Sequence, residues 1–281
     1  MSINITPLRG FPNSFSTRLS SCSFARHALC LLLILFLPAA ASAQDSQDTR
    51  RAAELWEQAI AAKGGREQLY KVNSLLISYR DTVRNFLGVV VHRGDVEALH
   101  VFPDKTWTWD DALPPPFSLT VSWLDASRNR RCVLYKGAAA PNCDVVEHPG
   151  SPADEGLVQT QYLYLLETRW VKPTPVGVTE ERIGFKKVDV LRTRFREKRI
   201  DYFLDRKTHL PLRVSVFYGQ SERATLSLDF SEYVNVGGVM MPGKQKNGHI
   251  NFQINPPYDE AVFTRPPSLE AGPHAWRLNG H

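Results

Sequence analysis

No acidic residue occurs before Asp45 in this 281-residue chain, and the basic side chains of that stretch are Arg9, Arg18 and Arg26. Long apolar runs are also scarce. The one that stands out, Ala28–Leu37, has ten residues, whereas crossing a bilayer takes about 20. It ends at Pro38, and Ala41-Ser42-Ala43 follows with small residues at the spacing a signal peptidase accepts. A basic start, a short apolar centre and a small-residue exit predict a cleaved secretion signal over residues 1–43, with Gln44 beginning the mature protein. No cysteine follows the exit, which argues against a lipoprotein-type anchor. The expectation is a soluble chain in the periplasm.

Cysteine is nearly missing too. Four occur in all, and only Cys132 and Cys143 lie beyond residue 43. In an oxidising compartment such a pair predicts one disulfide across a hairpin-sized loop, worth about 2–3 kcal/mol through restriction of the unfolded chain. A zinc site would need histidine partners that are not nearby, and no C-x-x-C spacing suggests redox chemistry. Catalytic signatures are absent: no G-x-S-x-G, no phosphate-binding glycine loop, no H-E-x-x-H. Histidines stand singly, and although His92 and His100 could meet across a hairpin, two ligands do not make a metal centre. Asp110-Asp111 and Glu180-Glu181 face opposite ways on a strand, as solvated turn residues do. No catalytic residue, cofactor or metal is expected.

Excess charge is lacking as well. The net +5 of the whole chain falls once the three arginines of the signal are removed from the 34 basic residues, leaving 31 against 29 acidic. That near balance gives no reason to expect nucleic acid as a partner.

What is present is a helix followed by many strands. In residues 48–63, Ala52, Leu55, Trp56, Ala59 and Ile60 fall on one stripe; Asp48 is the expected N-cap and Gly64-Gly65 the stop. A short helical turn is expected at 67–72, and a further helix over 154–168 with Leu157, Gln161, Tyr164 and Leu165 on its stripe. From Ser74 the period becomes two. Strands are expected at 83–92, 95–102, 117–124, 130–136, 175–183, 186–195, 239–247 and 249–254. Three more, through Ile200–Leu204, Leu212–Tyr218 and Ala224–Phe230, are joined by short turns as antiparallel neighbours. Residues 137–153 read as a loop and 267–281 as a loose tail. No linker divides residues 44–281, so a single domain is expected. An antiparallel meander with one apolar face must be covered, and a strongly curved sheet with helices across its concave side satisfies both patterns. The fold class is then mainly β with a helical lid, an incomplete barrel covered by two or three helices.

Two groupings stand out. Trp107 and Trp109 share a face, with Trp123 in a neighbouring strand; large rings on one face either line a lipid-sized cavity or fill an ordinary core. Arg192, Arg194 and Arg196 stripe one strand face, which suits anionic headgroups or an acidic partner, or is simply the wet side of a sheet.

The order of features resembles a known family. A leading helix ends in I-A-A-K-G-G-R-E-Q-L, and V-N-S-L-L-I-S enters the sheet; later S-E-Y-V-N-V-G-G-V-M-M-P-G-K precedes I-N-P-P-Y-D-E-A-V-F. This resembles the periplasmic lipoprotein-carrier-like superfamily of LolA and LolB, over nearly the whole of residues 44–281. The resemblance implies an incomplete antiparallel barrel with a helical lid over an apolar cavity, and a non-enzymatic carrier of lipid or acylated protein that makes transient contact with membrane or envelope proteins. Candidate cavity walls are then Trp107, Trp109, Trp123, Tyr202, Leu226 and Leu228, with Leu55, Trp56, Ile60, Leu157 and Leu165 as the lid. The other class of function kept open is an envelope scaffold or partner-binding module with a filled core.

Overall fold

The computed structural model describes residues 47–278, apart from 85, 88, 112–118, 146–151 and 246–247. The expected secretion signal lies outside the described residues, as do residues 279–281. The chain from Gln47 onward forms one compact unit.

Helix α1 covers 47–62, so Asp48 sits inside it rather than at its cap. Its stop is the expected one. Gly64 and Gly65 take φ of 119° and 84°, and the Gly65 amide donates back to the Ile60 carbonyl at 2.9 Å. Glycine carries such angles without a Cβ penalty. A second short helix, α2, covers Arg66–Tyr70.

Thirteen strands follow among the described residues: β1 Ser74–Arg84, β2 Val90–Val101, β3 Lys105–Asp110, β4 Thr120–Asp125, β5 Arg130–Tyr135, β6 Asn142–Val145, β7 Thr174–Ile183, β8 Lys186–Phe195, β9 Lys198–Asp205, β10 Pro211–Tyr218, β11 Leu226–Val236, β12 Val239–Gln245 and β13 Gly248–Ile254. All pair antiparallel in one unclosed sheet, in the order 6-5-4-3-2-1-13-12-11-10-9-8-7. Between β6 and β7 lies α3, Pro152–Thr160, which passes into a single π-helical stretch, Gln161–Leu165. The expected helix over 154–168 is thus broken short. Leu166 leaves it at φ 72°, an angle that α-helical continuation forbids.

The sheet is curved and unclosed, and one buried cluster extends along its inner side. Leu75 of β1 and Leu191 of β8 belong to the same buried cluster, although six inter-strand steps separate them in the sheet order. In a flat sheet six steps span about 29 Å, and the helical residues join the two ends of the cluster. The cluster takes Leu55, Trp56 and Ile60 from α1, Leu157 and Leu165 from α3 and the π-helical turn, and Tyr202, Val214, Phe230, Met241 and Phe252 from the strands.

Two readings of the sequence are corrected. The loop expected at 137–153 contains β6, a four-residue edge strand whose Cys143 stands opposite Cys132 of β5 and is disulfide-bonded to it; so short a strand has no period of its own to read. The loose tail expected from 267 is docked. Trp276 is 3% exposed, and its segment packs on the outer face of the sheet with Val262 and Phe263.

Candidate functional site

Both faces of the first half of the sheet are covered, and the two coverings differ. On the inner face the side chains singled out as lid and wall meet directly. Trp56 and Tyr202 lie 5.6 Å apart, ring centre to ring centre, and the Tyr202 hydroxyl donates to the Tyr162 carbonyl at 2.9 Å. Burial pushes the Tyr202 hydroxyl far above the usual phenol range. Tyr164 packs on Phe230 and Phe252 at 5.6 and 5.2 Å. Ring centres at these spacings fill space as a protein core does. Leu226 and Leu228 are partly buried against this cluster. Beside Leu228 a mouth of about 210 Å³ opens between the ends of β1, β11 and β13, lined by Tyr79, Arg80, His249 and Ile250.

The three tryptophans are elsewhere. Leu76, Leu99, Trp107, Trp123 and Cys132 are register partners in turn across β1 to β5, and Cys143 of β6 ends the row. All of these but Cys143 belong, with Trp109, to the outer cluster under the C-terminal segment. Trp107 and Trp109 do share a face, but it is the face opposite Tyr202. The structure therefore separates Trp107, Trp109 and Trp123 from Tyr202, Leu226 and Leu228 instead of gathering them around one cavity. Parity assigns residues to a common face without saying which face is inside.

The lid is fastened by one carboxylate that sequence reading missed. Glu167, 5% exposed, accepts from the Trp56 indole at 3.1 Å, from Arg66 Nε at 2.8 Å and from the Tyr70 hydroxyl at 2.5 Å. Arg66 also pairs with Glu57 at 2.9 Å. Burial alone would raise the Glu167 carboxyl; the hydrogen bonds from Arg66, Tyr70 and Trp56 and the charge of Arg66 outweigh it and hold the group below the ordinary carboxylate range. Three donors from α1 and α2 thus converge on the residue just past the π-helical turn. On the other flank of the lid, Thr160 approaches His100 Nε2 at 3.5 Å, and burial lowers that imidazole to about 4. His92 and His100 lie on one strand, so they do not face each other across a hairpin.

Lys63 is the second unforeseen group. It ends α1 with its side chain buried at 1% exposure. Its Nζ donates to the Met240 carbonyl and lies 3.7 Å from Met241 Sδ, while its own carbonyl accepts from the Met240 amide at 2.9 Å. It occupies the place where β12 leaves β13, which it pairs only through Lys244 and Gln245. Burial lowers this amine from 10.5 to about 7. Between those values the unfolded chain holds more protons, so stability rises with pH from about 7 to 10.5. Lys63→Met removes the cost of burying the charge and is expected to stabilise by about 1–4 kcal/mol at pH 6. Its advantage shrinks toward pH 10. Urea midpoints of both proteins at the two pH values check this; an advantage that does not change with pH would show the lysine to be solvated.

Of the basic stripe, Arg192, Arg194 and Arg196 are all exposed, and Arg196 lies past the end of β8, over the Phe195 ring. Arg192 and Arg199 both approach the buried Asp201, at 3.5 and 3.4 Å, and Arg199 stacks on Phe217 at 3.7 Å. Among the described residues no cluster of three metal-ligating side chains occurs, and no helix is long and apolar enough to cross a membrane.

No protein-family model matches the chain, and no curated protein matches it. Among solved structures it is similar to a LolA superfamily protein from Nitrosomonas europaea, at 10% identity over 74% of this chain and 96% of that one, with a TM-score of 0.46. It is similar also to a putative outer membrane lipoprotein-sorting protein domain from Vibrio parahaemolyticus, at 10% identity over 77% and 97%, TM-score 0.38. A MucA/MucB complex of Pseudomonas aeruginosa follows at 14% identity, over 74% of this chain and 60% of that one, TM-score 0.26. The chain's own architecture is a curved, unclosed antiparallel sheet with a few helices.

Proposed function

We propose that this is an exported, non-enzymatic binding protein that carries lipid or acylated protein, taking the acyl chain between the sheet and its helical lid. The observation that carries this reading is the composition of that boundary. Leu55, Trp56, Ile60, Leu157, Tyr162 and Leu165 face an apolar sheet surface, and the polar attachments of the lid are few, at Glu167, at Thr160 beside His100, at the Tyr162 carbonyl and at Glu155. Displacing the π-helical turn exposes a hollow in which each buried CH₂ contributes about 0.8 kcal/mol. Contact with a membrane is supported by the tip of the β1–β2 hairpin, where Phe86 is 95% exposed and Leu87 and Val89 are exposed beside it. The test is mass spectrometry of solvent extracts from the mature protein, purified from periplasm without detergent. Phospholipid or acylated peptide near one mole per mole, above an unrelated exported control, is the expected result, and Leu226→Asp should abolish the loading. An empty protein that takes up no added lipid would sink the carrier reading.

A second reading rests on a specific observation: the inner cluster is filled by the protein's own rings. A partner-binding module with a solid core needs no ligand. It predicts recovery of an envelope protein with the chain, weakened by charge reversal at Arg192 or Arg194.

A further inference from the structure

The outer face of the sheet carries a site of its own. Residues 265–278 fold back over β3 and β4 and leave a cavity of about 500 Å³, within the size range of small-molecule sites. Its floor is Trp107 and Val121, each 1% exposed, and Pro266 and Pro267 form a wall. The roof is pinned at three points. The Trp123 indole donates to the Arg265 carbonyl at 2.9 Å, Arg265 donates to the Ala275 carbonyl at 2.8 Å, and the Trp276 indole donates to the buried Glu97 carboxylate at 2.6 Å.

Charge decides what suits the space. Among the described residues no carboxylate lines the cavity. Of the acids near it, Asp259 is taken by Arg265 at 3.2 Å and Glu97 by Trp276 together with His274 at 3.0 Å, while Glu270 is exposed and off the lining. Arg277, on the rim, stacks on Trp276 at 5.4 Å and makes no ion pair among the described residues. An apolar aromatic floor below an uncompensated guanidinium favours a ligand with an apolar body and one anionic head. We propose that this cavity binds a small anionic amphiphile, its head at Arg277 and its body over Trp107 and Val121. The site lies on the face opposite the lid and does not depend on the carrier reading.

The probe is dodecanoate bearing a photoreactive diazirine in its chain, added to the mature protein, illuminated, and mapped by peptide mass spectrometry. The expected labels fall in residues 262–278 or at Trp107 and Val121. Arg277→Glu should cut that labelling roughly tenfold or more, and Ala271→Trp, which fills the cavity from an exposed position, should remove it. Labelling of Tyr162 or Leu165, which reports the lid side, should be unchanged in both variants. Absence of label from the C-terminal segment and its floor, or label there that ignores both substitutions, overturns the proposal whatever happens beneath the lid.

Discussion

Gly64→Ala should destabilise the protein by more than about 4 kcal/mol, placing it among the exceptional single substitutions. A Cβ at Gly64 would lie 2.1 Å from the Gly238 carbonyl oxygen and 3.2 Å from its carbon, and the backbone there holds φ at 119°. Neither neighbour is a side chain that can swing away. The Met240 amide, bonded to the Lys63 carbonyl, ties the same two segments together. Gly65→Ala provides the control: φ is 84° and ψ 156° but nothing lies within 4 Å of its Cβ, so only conformational strain remains, about 1–3 kcal/mol. Urea unfolding of both variants separates the two terms. Equal losses would show that the end of α1 and the β11–β12 turn are not in contact in solution.

Glu167→Ala is expected to cost about 2–3 kcal/mol at pH 7, because it leaves Tyr70 and the buried Trp56 indole without their acceptor, while the partly exposed Arg66 keeps Glu57. Glu167→Gln retains one acceptor oxygen and should lose less. The sign with pH is fixed by the lowered folded value. The carboxylate contributes fully above the unfolded pKa, about 4.3, and its contribution is lost as pH falls through the folded one. The gap between Glu167→Ala and the parent protein should therefore narrow on acidification below about pH 4. A gap that stays constant to pH 2 would mean that the ionised form is not what holds the lid.

The sequence announced elements better than it announced faces. Lys186–Phe195 was readable to its ends because Gly184 punctuates one side and a charged turn the other. The stop of α1 was readable from Gly64-Gly65 alone. The unbroken run Leu75-Leu76-Ile77 also carried a message: a strand apolar at both parities is covered on both sides. Leu75 and Ile77 do pack inward, while Leu76 packs outward. The outer cover was the segment whose prolines and glycines read as a tail, since a segment without period gives no docking signal. Glu167 and Lys63 were illegible for a different reason. An isolated Glu or Lys is normally solvated, and only tertiary contact identifies the few that are not. The interior residues Trp56, Tyr202 and Leu165 were legible because they recur on periodic faces.

The order of the strands also sets when this sheet can exist. Every ladder but one joins strands that are neighbours in the chain; the exception pairs β1 with β13, bringing Leu75 opposite Ile254. Strands β1–β6 and β7–β13 are two local meanders, each cheap to close because its loops are short. Their union must wait for residues 248–254, the last strand among the described residues. Until then the inner surface of each half has no partner half to curl against, and the nascent protein carries two apolar faces that await one another.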